Sequence, residues 1–428
     1  MFKKLEVIIK KLKNTGLFDI FGSSIVVKII GFMSSIILVR IVSKEDYGTF
    51  TIAWNIYSIA MLATGFGASY AILQLGCENI KDTTKKNRIF HYGWNYGITA
   101  NIIIGIIIIL LGFFFPFSVH KVAPLMFMMC FLPLIQFAVE YQAMYLRVEQ
   151  KNHIYAIANI INVGLVFLFS MVGAYIIKEK GFIIGRYFAY ILLVIIGIKY
   201  WNIPFSLKKS NISYTEKKDF RYVALISMIN GGISQLLYLI DILILGIVVP
   251  NESVIASYKI ATIIPTALSF IPTALVTYIF PYFSKNRNNG KWCLKRYGQI
   301  IGIMAIVNGI ISMVLLIFSP VIIKIMYGSH YLDAVIPFRI LVINYFFSGT
   351  FRSIAGNLLV TQRKLEFNTF VAIISGVLNI VADIVLILRF GAVGAAYATL
   401  IIVILCSSLN VGYLLITFIN KCKKNYGD

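Results

Sequence analysis

Charge is what this chain is short of, acidic charge most of all. Asp, Glu, Lys and Arg make up only 13% of its 428 residues, and 17 acidic residues face 39 basic ones. With 59% hydrophobic residues and a mean hydropathy of +0.85, it has too little polar surface to coat a soluble domain with one buried core. The strict apolar and polar alternation that membrane β-strands need is also missing. Cysteine is sparse: Cys77, Cys130, Cys293, Cys406 and Cys422 have no paired spacing, so neither a disulfide nor a metal centre is expected. No phosphate-binding glycine loop, HExxH pair or nucleophile elbow occurs, and no cofactor is expected. These absences argue against an ATP-driven pump. The short outer loops argue against a polysaccharide polymerase or ligase, an enzyme that needs a large catalytic loop outside.

What the chain does have is long apolar runs, each fit for a membrane helix of about 20 residues. They predict an all-α polytopic membrane protein with about twelve spans. These lie near 18–41, 49–74, 91–115, 123–147, 153–177, 182–200, 222–249, 254–282, 297–319, 333–359, 367–388 and 392–419. Before the first span, Phe2, Leu5, Ile8, Ile9 and Leu12 share one face with lysines opposite, the pattern of an interfacial helix. The following run has no small-residue cleavage site and reads as an uncleaved anchor.

Basic residues set the orientation. They gather at the N-terminus, at Lys81–Arg88, Arg147–Lys151, Lys199–Arg221, Lys285–Arg296, Arg363–Lys364 and Lys421–Lys424, all on one side of the predicted spans. That side is therefore expected to be cytoplasmic, with both termini on it. The net charge of +22 is read as this topological bias, with no nucleic-acid partner implied.

Two stretches occur twice. RIVSKEDYGTFTIA after Leu38 lines up with IVVPNESVIASYKIA after Leu245, pairing Glu45 with Glu252, Phe50 with Tyr258 and Ala53 with Ala261 after one inserted residue. The turn at Lys180–Gly185 lines up with that at Arg389–Gly394, pairing Gly185 with Gly394 and Ala189 with Ala398. Both point to a repeat of about 208 residues. The predicted organisation is an N-terminal six-helix lobe over 1–200, a basic cytoplasmic linker over 201–221 and a C-terminal six-helix lobe over 222–428. The repeat axis would lie along the membrane normal.

Ionisable residues inside the spans are the candidate site. Ser24, Lys28, Gly31 and Ser35 share a face of the first span. Lys28 either snorkels or pairs between helices, or faces a watery cavity. Ser227, Gly231, Ser234, Tyr238 and Asp241 repeat the spacing with the opposite charge in the seventh. In the eighth, Lys259 lies on a hydroxyl stripe interrupted by Pro265 and Pro272, which mark either a moving bend or a static kink. Tyr345, Ser348, Arg352 and Gly356 share a face of the tenth span, while Arg339 points elsewhere. Asn368, Ala372, Ser375, Asn379 and Asp383 form a line in the eleventh, so Asp383 either faces a polar interior or pairs with Arg389. Glu140 and Arg186 are further candidates, each with a structural alternative. The basic set Lys28, Arg186, Lys259, Arg339 and Arg352 outweighs the acidic set Glu140, Asp241 and Asp383. That balance favours an anionic ligand.

The segments RIVSKEDYGTFTIA, GFGASYAILQ, YLIDILILG with SYKIA, MYGSHYLDAVIPFRIL, NLLVTQRK and LNIVADIVLILRFGAVGAAYATLI resemble the polysaccharide flippase family often called Wzx. That family lies within the multidrug/oligosaccharidyl-lipid/polysaccharide exporter superfamily. The resemblance implies two helical lobes forming a V-shaped cavity. It also implies transport of undecaprenyl-pyrophosphate-linked oligosaccharide repeat units from the inner to the outer leaflet for capsule, O-antigen or exopolysaccharide assembly. Membrane lipids and other polysaccharide assembly proteins are the partners such a pathway implies. Lys28 and Arg352 best fit the family's cavity cations, and Asp241 fits the acidic position of the YLID segment. Lipid II flippases of the superfamily usually have two further C-terminal helices, which the twelve spans expected here do not include. A multidrug and toxin extrusion antiporter is the alternative, and it would favour acidic cavity groups.

Overall fold

The computed structural model describes residues 17–114, 121–205 and 212–424, and every regular element among them is helical. The interfacial helix expected over 2–13 lies outside the described residues, as does part of the basic linker. The chain divides into two compact units, Met1–Leu239 and Ile240–Asp428.

The first unit contains α1 (Leu17–Ile41), α2 (Lys44–Met61), α3 (Ala68–Glu78), α4 (Thr83–Phe114), α5 (Val122–Met129), α6 (Leu132–Val148) and α7 (Asn152–Tyr200). It also takes most of α8 (Tyr214–Val248), inside which the division falls. In α4, Gly93, Gly97, Asn101, Gly105, Ile108 and Gly112 recur about every fourth residue and face inward, while Ile102, Ile103, Ile106 and Phe113 are exposed. Small residues on the inner stripe admit close neighbours, and the apolar outer stripe suits lipid. The Phe137 ring occupies the space that a side chain at Gly97 would need. Around it, Ile72, Phe90, Trp94, Tyr141 and Phe220 form the core.

Between α2 and α3 the chain breaks in a tight turn, Thr64–Gly67. Gly67 has φ 79°, and a Cβ there would strike the carbonyl oxygen of Ala224 on α8. Only glycine meets both demands.

The second unit holds the end of α8 with α9 (Glu252–Leu268), α10 (Phe270–Lys285), α11 (Gly290–Ile317), α12 (Ser319–Tyr327), α13 (Val335–Phe347), α14 (Ser353–Thr361) and α15 (Leu365–Lys424). Pro272 has no N–H to offer the Leu268 carbonyl, and the helix breaks at Ser269 between α9 and α10. Phe283, Tyr297, Leu358, Leu414 and Phe418 make the core of this unit.

Among the described residues, seven helical stretches are long and apolar enough to cross a membrane. The count is eight if α5 and α6, bent by 44°, form one span. The chain is a multi-pass membrane protein. Two of the stretches are hairpins. A straight helix of 49 residues, the length of α7, would be about 73 Å long, more than twice the hydrocarbon thickness of about 30 Å. It folds back at Ile177 and Lys178, which leave helical geometry, and Gly173 then presses against the Gly181 carbonyl. In the same way α15 folds back at Gly391.

Local features recur in both units at the repeat spacing. Ser43 caps α2 by accepting from the Asp46 amide, and Asn251 caps α9 by accepting from the Ser253 and Val254 amides. With caps aligned at about 208 residues, no inserted residue is needed, and Phe50/Tyr258 and Ala53/Ala261 are buried pairs. A Cβ at Gly185 would strike the Phe169 carbonyl, and one at Gly394 the Leu386 carbonyl. These glycines mark the crossing of equivalent hairpins. Beyond it the first hairpin runs about one helical turn further than the second on both arms.

Candidate functional site

The second unit buries two carboxylates together. Asp241, near the end of α8, accepts at Oδ1 from Asn379 Nδ2 (3.0 Å) and at Oδ2 from Tyr258 Oη (2.9 Å) and Thr399 Oγ1 (2.7 Å). Asn379 Nδ2 also donates to Asp383 Oδ2 at 2.7 Å, so one amide bridges both acids. Asp383 is 0% exposed, and its Oδ1 is buried without a hydrogen-bond partner. Among the described residues no Lys or Arg pairs with either acid. Helix periodicity puts Asn379 and Asp383 on one face of the first arm of α15, a turn apart, and the fold at Gly391 returns Thr399 to the same depth. α9 contributes Tyr258 directly below its Asn251 cap.

The arrangement offers several oxygen atoms around paired acids in apolar surroundings. Two carboxylates excluded from water repel one another, and a proton or a hard cation is the counter-charge that relieves such repulsion in general. Among the described residues no three His, Cys, Asp or Glu side chains converge.

The first unit holds a different polar set. Glu140 on α6 accepts from Gln136 Nε2 (3.2 Å) and Ser69 Oγ (3.4 Å), and Tyr57 Oη donates to Gln136 Oε1 at 2.8 Å. Arg186 stacks 4.3 Å from the centre of the Trp54 ring and 5.1 Å from that of Phe182, and its Nη1 donates to Tyr190 Oη at 3.1 Å. Cation–π contact and a hydroxyl satisfy part of its charge. Its Nε is buried without a partner.

The remaining cations are scattered. Lys28 is exposed on α1, Lys259 is half-buried on α9, and Arg339 Nε donates to Ser319 Oγ at 2.7 Å at the head of α12. Arg352 is half-buried at the end of a π-turn, Ser348–Arg352, and no described residue pairs with it. That turn changes its placement. Counting an unbroken α-helix puts Arg352 on the face of Tyr345, but the wider turn displaces everything after it around the axis.

The structure therefore brings Asp241 and Asp383 together and gives Asp383 the Asn379 amide rather than Arg389, which is exposed. The sequence pattern shows Asn379 as a face-mate of Asp383. It does not show Tyr258 and Thr399 as ligating groups, although the repeat sets Thr399 where the first unit has Tyr190, another polar residue on a second hairpin arm.

The fold is similar to that of a lipid II flippase and of multidrug transporters. It is similar to a structure described as "Lipid II flippase MurJ, inward closed conformation", with a TM-score of 0.66 and 18% identity over 94% of this chain and 89% of that one. It is also similar to an inward-facing multidrug resistance MATE transporter of the MOP superfamily, with a TM-score of 0.74 and 13% identity over 92% and 96%. The outward-facing form of such a transporter gives 0.59 and 12% over 95% and 96%. No curated protein matches the sequence. The profile of the family described as "Polysaccharide biosynthesis protein" matches residues 37–336, and the chain belongs to that family.

Proposed function

We propose that this protein is a flippase that carries undecaprenyl-pyrophosphate-linked oligosaccharide repeat units from the cytoplasmic to the outer leaflet of the bacterial inner membrane. Its cargo serves capsule, O-antigen or exopolysaccharide assembly. Family membership carries this reading: a polysaccharide biosynthesis chain with a transporter fold is suited to moving a glycan across the bilayer. Counting two crossings for each hairpin and one for the bent α5–α6 pair gives ten, and α1 and α8 would bring the total to the twelve spans in two six-helix lobes that we infer, with both termini cytoplasmic.

Alternating access then needs a substrate site and a driving site. Arg352 and Lys28 are the first choices for the pyrophosphate, because a cation at membrane depth is well matched by a multivalent anionic ligand. Arg186 and Lys259 are secondary, and Arg339 is more occupied by Ser319. Asp241 and Asp383 take up a proton or an alkali cation and so couple a gradient to the cycle. Glu140, with its own Gln136 and Ser69 partners, is a further coupling candidate.

Deleting the gene tests the reading. Surface polysaccharide should fall and lipid-linked repeat units should accumulate, and the intact gene should restore both. Unchanged polysaccharide with no accumulation would reject it. A cation antiporter of the multidrug and toxin extrusion type is the second reading, favoured by the Asp241–Asp383 pair. It requires the deletion strain to become sensitive to cationic drugs while its polysaccharide stays normal.

A further inference from the structure

The π-turn that ends at Arg352 is hydrogen-bonded by Asn308 of α11. Asn308 lies in the middle of α11, whose other face exposes Ile303, Ile306, Ile310 and Met313. Asn308 itself is fully buried and uses both ends of its amide. Its Nδ2 donates to Thr350 Oγ1 at 3.1 Å, and its Oδ1 accepts from Tyr345 Oη at 2.8 Å. Tyr345 belongs to the α-helix before the turn and Thr350 lies within it. One side chain thus ties the regular helix to the irregular one.

The close approach is built in. A Cβ at Gly349 would lie 3.2 Å from Asn308 Nδ2, 3.4 Å from the Tyr345 ring and 3.6 Å from Pro272 Cγ. Glycine at this position lets α11 and the turn meet over the Asn308 amide. A π-turn adds roughly one residue per turn, which rotates the residues beyond it by about 100° relative to an unbroken α-helix. Arg352, the last residue of the turn, takes its direction from that rotation.

We propose that Asn308 is a positioning residue: through Tyr345 and Thr350 it fixes the π-turn and thereby aims the Arg352 guanidinium at the phosphate oxygens of the lipid-linked substrate. This rests on the reading of Arg352 as a headgroup cation. Without the Asn308 amide, the segment can return to α-helical hydrogen bonding, and Arg352 swings away while its charge is retained. A guanidinium that binds oxyanions in a fork is sensitive to such a rotation.

Two measurements on the full chain test the two parts separately. The first needs no substrate. In a cysteine-free background carrying Arg352→Cys, labelling by a membrane-impermeant methanethiosulfonate reads where position 352 points. Adding Asn308→Leu or Thr350→Val should change its rate several-fold, whereas Thr350→Ser, which keeps the hydroxyl, should restore the original rate. Equal rates in all four proteins would overturn the positioning role.

The second measurement is binding of undecaprenyl pyrophosphate to the protein in nanodiscs. Asn308→Leu should weaken it about tenfold or more, as loss of a charge-assisted contact would. Combining it with Arg352→Ala should add nothing to the loss from Arg352→Ala alone. Independent, additive losses would overturn the link between the two residues. If labelling shifts but Arg352→Ala leaves binding intact, the headgroup role of Arg352 falls and the mechanical role of Asn308 stands.

Discussion

Lys178 and Gly391 hold the same backbone conformation, φ/ψ 51/−136° and 56/−131°, at the fold-back points of α7 and α15. That region of dihedral space belongs essentially to glycine, because a Cβ there crowds the backbone. The second hairpin meets the requirement with glycine. The first meets it with a lysine whose Nζ reaches Asp46 Oδ2 at 3.5 Å while the side chain stays mostly exposed.

Lys178→Gly should therefore stabilise the protein. Relief of backbone strain is worth about 1–3 kcal/mol. The exposed ion pair contributes less than about 1 kcal/mol. Gly391→Ala should destabilise by a similar margin, even though the nearest atom to its new Cβ, Val254 Cγ1, is 3.8 Å away. Thermal unfolding of both variants in detergent reads the opposite signs, and a shift of the same sign in both would refute the shared strain.

Gly67→Ala should do more damage. It combines a left-handed residue, φ 79°, with a direct collision on the Ala224 carbonyl, so a loss of about 3 kcal/mol or more is expected. The amount of folded protein recovered from membranes measures it.

Asp241→Asn should keep the fold and lose the coupling. The Tyr258 and Thr399 hydroxyls can accept as well as donate, so an amide retains the local bonds, and stability should drop by about 1 kcal/mol or less. In proteoliposomes, transport by the variant should no longer respond to an imposed proton or sodium gradient that speeds the parent protein. A preserved response would remove Asp241 from the driving step.

Glu216 gives a pH prediction outside the membrane spans. Ser213 and Glu216 form a capping box at the head of α8: the Ser213 amide donates to Glu216 Oε2 at 2.9 Å, and the Glu216 amide donates to Ser213 Oγ at 3.2 Å. The Ser213 amide first, with the Arg88 guanidinium as a further cause, holds the carboxyl below its ordinary value. A lowered folded value means the stabilisation is present above the unfolded pKa of about 4.3 and fades as pH falls through the folded value. Because the half-buried carboxylate still meets solvent, Glu216→Gln should cost only a few tenths of a kcal/mol, roughly, at pH 7. The difference between variant and parent in thermal scans should vanish at acid pH.

Much of this architecture is readable from the sequence where chemistry is local. Ser43 and Asn251 announce helix starts because an oxygen-bearing side chain caps free amides, and that is why the two segments align. Asp241 and Asp383 stand out because acids are rare in apolar runs. Their company is hidden: Thr399 is 158 residues from Asp241 along the chain and looks like any threonine in a small-residue helix. Face counting misplaces Arg352 because it assumes a constant 100° step. The π-turn that breaks it depends on Asn308, which lies on another helix and leaves no periodic trace near Arg352.

The glycine crossings have a mechanical consequence. Where Gly173 lies against the Gly181 carbonyl and Gly185 against that of Phe169, no side chains stand between the arms of α7 to act as a compliant layer. The arms cannot slide past one another without backbone striking backbone. A membrane that thins or thickens therefore meets this hairpin as a single stiff blade that answers by tilting, so its angle should track the acyl-chain length of the surrounding lipid.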